Sequence, residues 1–182
     1  MIKNTTTRWG VVSKLLHWGM GALILGMLVV GVWMVDLAPS DQKWTLYGLH
    51  KSIGLILLGL IVGRVIWRFA NEVPAYPKDM PASLQWVSSL TIFVLYLLML
   101  AMPITGVLMS LFGGYAISFF GWVSLPALTE GRTALSIISH QLHTFLGWTF
   151  IWVLVLHTLG ALYHHVVRGD TVLKRMWFSK EQ

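Results

Sequence analysis

The chain has 182 residues, 56% of them hydrophobic and only 11% charged. A soluble domain carries about 25% charged residues, so a soluble class is excluded and a membrane protein is expected. The net charge of +6 does not point to nucleic acid, because the basic residues fringe apolar spans and form no stripe. The chain has no cysteine, which excludes disulfides, thiolate-held iron–sulfur clusters and covalently attached c-type haem.

From the start, Met1 to Lys14 is basic and Leu15 to Val35 is uncharged. The uncharged run is longer than the core of a signal peptide, and Val35–Ser40 is a poor cleavage site, so a retained anchor is expected. The first span is predicted over 15–35 and ends in the polar turn Asp36–Lys43. The second, over 44–67, is closed by Arg64 and Arg68. A proline-rich connection, Asn71 to Pro81, leads to a third span over 86–112 that contains Pro103 and Gly106. A long connection from Gly113 to about Ser139 precedes the fourth span, over 140–166. Each span is near the roughly 20 residues needed to cross the hydrocarbon. The expectation is a single all-α domain over 1–182, an integral membrane four-helix bundle.

Basic residues set the expected orientation. One side carries Lys3, Arg8, Lys14, Arg64, Arg68, Lys78, Arg168, Lys174, Arg175 and Lys180. The other carries Lys43, Lys51 and Arg132. The positive-inside bias places both termini in the cytoplasm.

Four histidines fall inside the apolar spans: His17, His50, His143 and His157. Ionisable residues there are expensive and mark function. At about 100° per residue, the fourteen steps from His143 to His157 return to within roughly 40° of the starting direction. The two share a helix face, and at about 1.5 Å per residue they stand roughly 21 Å apart. That separation suits two stacked cofactors and is too long for one shared metal. The predicted pairs are His50 with His143 on the outer side and His17 with His157 on the inner side.

Facing imidazoles from neighbouring helices suit the two axial positions of a haem. A flat macrocycle also needs room beside its ligand helix. Gly21, Gly54 and Gly147 each stand four residues after a histidine, and Gly160 stands three after His157. Glycine is common in membrane helices for packing reasons, but this placement favours haem. His140, one turn before His143, lies roughly 100° off the His157 face and is not expected to ligate. Arg64 and Arg68 share a face and suit haem propionates, or else snorkel to the interface. Lys51 can meet a propionate or draw anions. His164 reads as an interfacial histidine or a contact for a propionate or quinone.

The segments Leu15–Leu16–His17–Trp18, His50–Lys51–Ser52–Ile53–Gly54, Arg64 to Arg68, Met102–Pro103–Ile104–Thr105–Gly106, His143–Thr144–Phe145–Leu146–Gly147 and His157 occur in this order along nearly the whole chain. As a set they resemble the bacterial cytochrome b561 family, which is related to hydrogenase cytochrome b subunits. The resemblance implies a bacterial inner-membrane bundle with two haem b groups, the irons held by His17 with His157 and by His50 with His143. It implies electron exchange between ubiquinone or another quinone and a donor or acceptor outside. One branch of that family oxidises superoxide and passes the electron to ubiquinone. This chain resembles that branch in size, in its long outer connection and in the tail Asp170–Met176. Its other readings are a haem-bearing anchor for a redox protein and a haem-free metal or proton relay. The relay is disfavoured because no carboxylate lies mid-span.

Overall fold

The computed structural model describes residues 1–178; Lys180, counted above for topology, lies outside them. Four helices, long and apolar enough to cross a membrane, dominate. They are α1 (Val11–Asp36), α2 (Asp41–Phe69), α3 (Ala82–Leu111) and α4 (Ala134–Val166). Each contains the predicted span, apart from Phe112 at the end of the third; the fourth ends at the expected Val166, and the other ends run beyond. α4 begins six residues before the expected 140, because Thr133 and Ser136 form a reciprocal capping box that satisfies orphan amides of the first turn.

Local chemistry fixes the other ends. The Asn4 side-chain carbonyl accepts from the Gly10 amide and the Ser13 hydroxyl at the entry to α1. A Cβ at Gly10 would collide with the Ile2 and Lys3 backbone. At the far end of α1 the Lys43 ammonium donates to the carbonyls of Val35 (3.1 Å) and Leu37 (2.6 Å), a cation where the helix dipole is negative. Ser40 caps α2. Pro103 leaves α3 without one amide donor.

The long connection from α3 to α4 contains a small antiparallel ribbon. Its strands are β1 (Ile117–Phe119) and β2 (Val123–Leu125), with Phe119 opposite Val123. Phe120 and Gly121 make the turn at φ values of 49° and 80°. β1 folds back onto α2, where the buried Ser52 hydroxyl donates to the Ser118 carbonyl (3.0 Å) and accepts from the Phe120 amide (3.1 Å).

α4 packs chiefly on α3, and α1 and α3 each on α2. The core between them is Met20, Ile24, Leu57, Ile61, Leu95, Leu98 and Phe150. Large apolar residues such as Val29, Ile66, Phe93 and Trp152 face outward, as helices sided by lipid require.

The N-terminal segment, the α2–α3 connection and the C-terminal tail converge at one end, here called the termini face. Asn4 donates to the Glu72 carbonyl, Arg175 to the Ala75 carbonyl, and Trp18 to the Met176 carbonyl. The ribbon closes the opposite end, the hairpin face.

Candidate functional site

Two histidine pairs stand along the bundle interior. His50 on α2 faces His143 on α4, with ring centroids 6.3 Å apart. His17 on α1 faces His157 on α4 at 6.1 Å. α4 contributes one member to each, as the fourteen-residue spacing requires. Among the described residues no group of three or more His, Asp or Glu converges, so a metal held here draws only two ligands from the chain. A bare zinc-type ion takes about four protein ligands; a haem iron takes its other four from the macrocycle and two from axial side chains.

The separations match that chemistry. With a metal–imidazole bond of about 2 Å and the ring centre about 1 Å behind the nitrogen, two opposed rings have centroids about 6 Å apart. Nδ1 of His50 is buried and lacks a hydrogen-bond partner among the described residues. Orphaned buried polar atoms are rare in finished structures and are what a site built around a further group leaves.

The surroundings leave room beside the rings. A cavity of about 410 Å³ adjoins His50 and His143, and Gly31, Gly54, Gly106 and Gly147 line it. A Cβ on Gly106 would stand 3.3 Å from the His143 ring, and one on Gly31 would stand 3.4 Å from the His50 ring. Each glycine faces a histidine of another helix and neither stands four residues after one, so the plus-four pattern misses Gly31 and gives Gly106 no role. A second cavity of about 140 Å³ adjoins His17 and His157 and is lined by Gly21, Arg64, Arg68 and Tyr96. Gly160 is not among its lining residues. Ile24, Met99 and Phe150 line both cavities.

Each pair is held differently. His143 Nδ1 donates to the Met102 carbonyl at 3.0 Å, with Thr105 Oγ1 at 3.1 Å. That bond fixes the ring and leaves Nε2 for a ligand. At the other pair Nη2 of Arg64 stands 3.2 Å from His17 Nδ1, and the guanidinium donates to the Leu16 carbonyl at 3.3 Å and to the Tyr96 hydroxyl at 3.2 Å. Arg68 lies over the Tyr96 ring at 5.3 Å.

The remaining candidates separate cleanly. His140 lines the larger cavity beside His143. Lys51 lines it too, with Nζ 3.4 Å from the Ala116 carbonyl and 5.7 Å from the Tyr115 ring centre. His164, expected at the headgroups or beside a propionate or quinone, lines neither cavity. It is 5% exposed, and its Nδ1 lies 2.6 Å from Asp170 Oδ2. Arg168 joins that carboxylate at 3.3 Å and reaches Asp79 at 3.0 Å. Burial alone would push the Asp170 carboxyl up, but hydrogen bonds from His164, the Val172 amide and Arg168 hold it below its ordinary value. The cluster pins the tail to the end of α4. The sequence hid it because Asp170 lies past the helix stop at Gly169, whose φ is 65°.

A model of the prokaryotic cytochrome b561 family matches residues 8–179. The chain is 36% identical to "Cytochrome b561 homolog 2" of Escherichia coli (strain K12), over 95% of its own length and 93% of that protein. It is 27% identical to "Probable superoxide oxidase CybB" of Yersinia pestis, over 91% and 93% of the two chains. It is 26% identical to "Cytochrome b561 homolog 1" of Escherichia coli (strain K12), over 70% and 72%.

Proposed function

The chain belongs to the prokaryotic cytochrome b561 family, and from that membership we propose that it moves single electrons through two b-type haems, one at each histidine pair. Haem-based transmembrane electron transfer in the bacterial inner membrane belongs to the family. The finer reading is that electrons pass between the quinone pool and a donor or acceptor at the hairpin face. The observation that carries it is the equal opposition of the two histidine pairs, at 6.3 and 6.1 Å. The basic bias toward the termini face supports a cytoplasmic position for both termini.

Bound haem supplies an iron that takes up and releases one electron. The chain does the rest. His50 and His143 orient one group, and His17 and His157 the other. The Met102 carbonyl holds the His143 ring in register. Gly31 and Gly106 keep Cβ atoms off the ligand rings. The apolar cluster from Met20 to Phe150 excludes water between the sites. We assign Arg68, on the wall of the smaller cavity, to a haem carboxylate, which a guanidinium pairs well. Lys51, on the wall of the larger cavity, suits a carboxylate of the other haem.

The test is a reduced-minus-oxidised spectrum of the purified protein with haem counted per chain. Two low-spin b-type haems are expected, and alanine at His50 or His157 should each remove one. A colourless protein from haem-replete cells would overturn the reading.

A second reading is superoxide oxidation: two superoxide anions each give one electron and leave as dioxygen, and one quinone takes up those two electrons with two protons. Its support is the 27% identical relative so named, together with Lys51 on the cavity wall, where a cation would draw the anion. Haem reduction by a superoxide source, followed by reoxidation on adding quinone, is expected. Reduction that survives superoxide dismutase removes this reading.

A further inference from the structure

The two histidine pairs sit in unlike electrostatic surroundings, and the difference has a direction. Arg64 stands beside the termini-side pair. One nitrogen of its guanidinium is 3.2 Å from His17 Nδ1, and the others are tied to the Tyr96 hydroxyl and the Leu16 carbonyl. All three partners are neutral, so the positive charge is fixed in place without being cancelled. Arg68, assigned above to a haem carboxylate, is on the same wall, and no Asp or Glu is among the described residues lining that cavity.

At the hairpin-side pair the local charges oppose one another. Lys51 and Asp36 both line the larger cavity, and the Lys51 ammonium is turned to the Ala116 carbonyl and the Tyr115 ring. There the ligand His143 instead donates its Nδ1 proton to the Met102 carbonyl. Such a bond enriches the imidazole in electron density and favours the oxidised metal.

An oxidised haem core carries one more positive charge than the reduced core, so a fixed cation nearby favours reduction. In the interior of a bundle, where the effective dielectric is low, that preference is strong. The two effects therefore act in opposite senses at the two sites, and they widen the gap.

We propose that Arg64 sets the order of the two potentials, making the His17–His157 site the better electron acceptor. An electron that enters at the His50–His143 site then runs downhill toward the termini face. In that transfer the hairpin-side iron is oxidised by one electron and the termini-side iron is reduced by one. Arg64 touches a ligand and not the reacting atoms, so it is a positioning residue. The inference rests on the two-haem reading.

A spectroelectrochemical titration of the detergent-purified holoprotein tests it. Two one-electron components are expected in the unaltered chain. The component that survives in H50A must be the higher of the two, and the component that survives in H17A must be the lower. R64Q is expected to lower only the higher component, shifting the sharing of an electron by about tenfold or more, or about 59 mV per tenfold for one electron. R64K, which keeps a cation, is expected to recover most of that shift.

A higher component that is lost in H50A overturns the proposal. So does an R64Q protein whose two components both stay in place. Should R64Q fail to hold its haem, the order read from H17A and H50A decides alone. A single component from a chain that holds two haems overturns the proposal alone, whereas one haem per chain fells the two-haem reading and the proposal with it.

Discussion

At the scale of single residues, small atoms decide whether the ligand rings can stand where they do. Gly106 faces His143 from α3, and an added Cβ would stand 3.3 Å from the ring, tighter than a close-packed interior tolerates without movement. Gly106→Ala is expected to cost about 1–3 kcal/mol in overpacking and to lower occupancy of the hairpin-side haem selectively. Gly59→Ala, with nothing within 4 Å of the new Cβ, should leave the haem content unchanged; pyridine haemochrome counts on the two variants make the comparison. Asp170 governs acid behaviour. Its folded-state value lies below the ordinary 3.8, so its contribution is present above that value and is lost as pH falls through the lower folded value. Asp170→Asn should destabilise the protein at neutral pH and flatten the acid limb of its unfolding profile, measured by thermal melts across pH in detergent. The four ligand candidates were legible because histidine is conspicuous in an apolar span. Gly31 was not, since its role depends on which helix packs opposite.

Elements were legible wherever periodicity or hydropathy carried the signal. All four helices follow from apolar length, and the cap residues explain where the readings stopped short. Ser136 and Ser139 made the start of α4 look like loop, yet Thr133 and Ser136 cap it and both serines are buried. The ribbon was illegible for a different reason. Two-residue hairpin turns usually announce themselves with Asn-Gly or Asp-Gly, and here Phe120 takes the left-handed position at φ 49°, which a bulky residue seldom adopts. What holds it is tertiary: the Ser52 hydroxyl accepts the Phe120 amide and donates to the Ser118 carbonyl. Ser52→Ala leaves the Phe120 amide unpaired, at a cost of about 1–3 kcal/mol. Amide hydrogen exchange across 117–125 should accelerate in that variant while exchange in α1 stays unchanged. Equal acceleration throughout would show that Ser52 supports the whole bundle and not the ribbon alone.

At the scale of the whole molecule, convergence of the N-terminal segment, the α2–α3 connection and the tail matches the sidedness expected from the basic residues. Arg175 reaches Ala75, and Lys14 reaches the Trp177 carbonyl at 2.9 Å. Which membrane side that end occupies follows from the positive-inside bias. Protease added to inside-out vesicles should trim tags on both termini, whereas intact spheroplasts should protect them; the reverse pattern would invert the proposed topology.

The packing order of the helices also bears on how the protein is made. α1 rests on α2, and α4 rests on α3, while His17 on α1 and His157 on α4 face each other at 6.1 Å. The first and last helices to leave the ribosome thus meet across a place meant for something the polypeptide does not encode. α3 also packs on α2 and the four helices share one apolar core, so a haem held by His17 and His157 would add a clasp between the outermost pair. On the two-haem proposal, haem capture completes that clasp and stabilises the folded chain by mass action. Cellular abundance of this protein should therefore track haem supply even when its transcription does not.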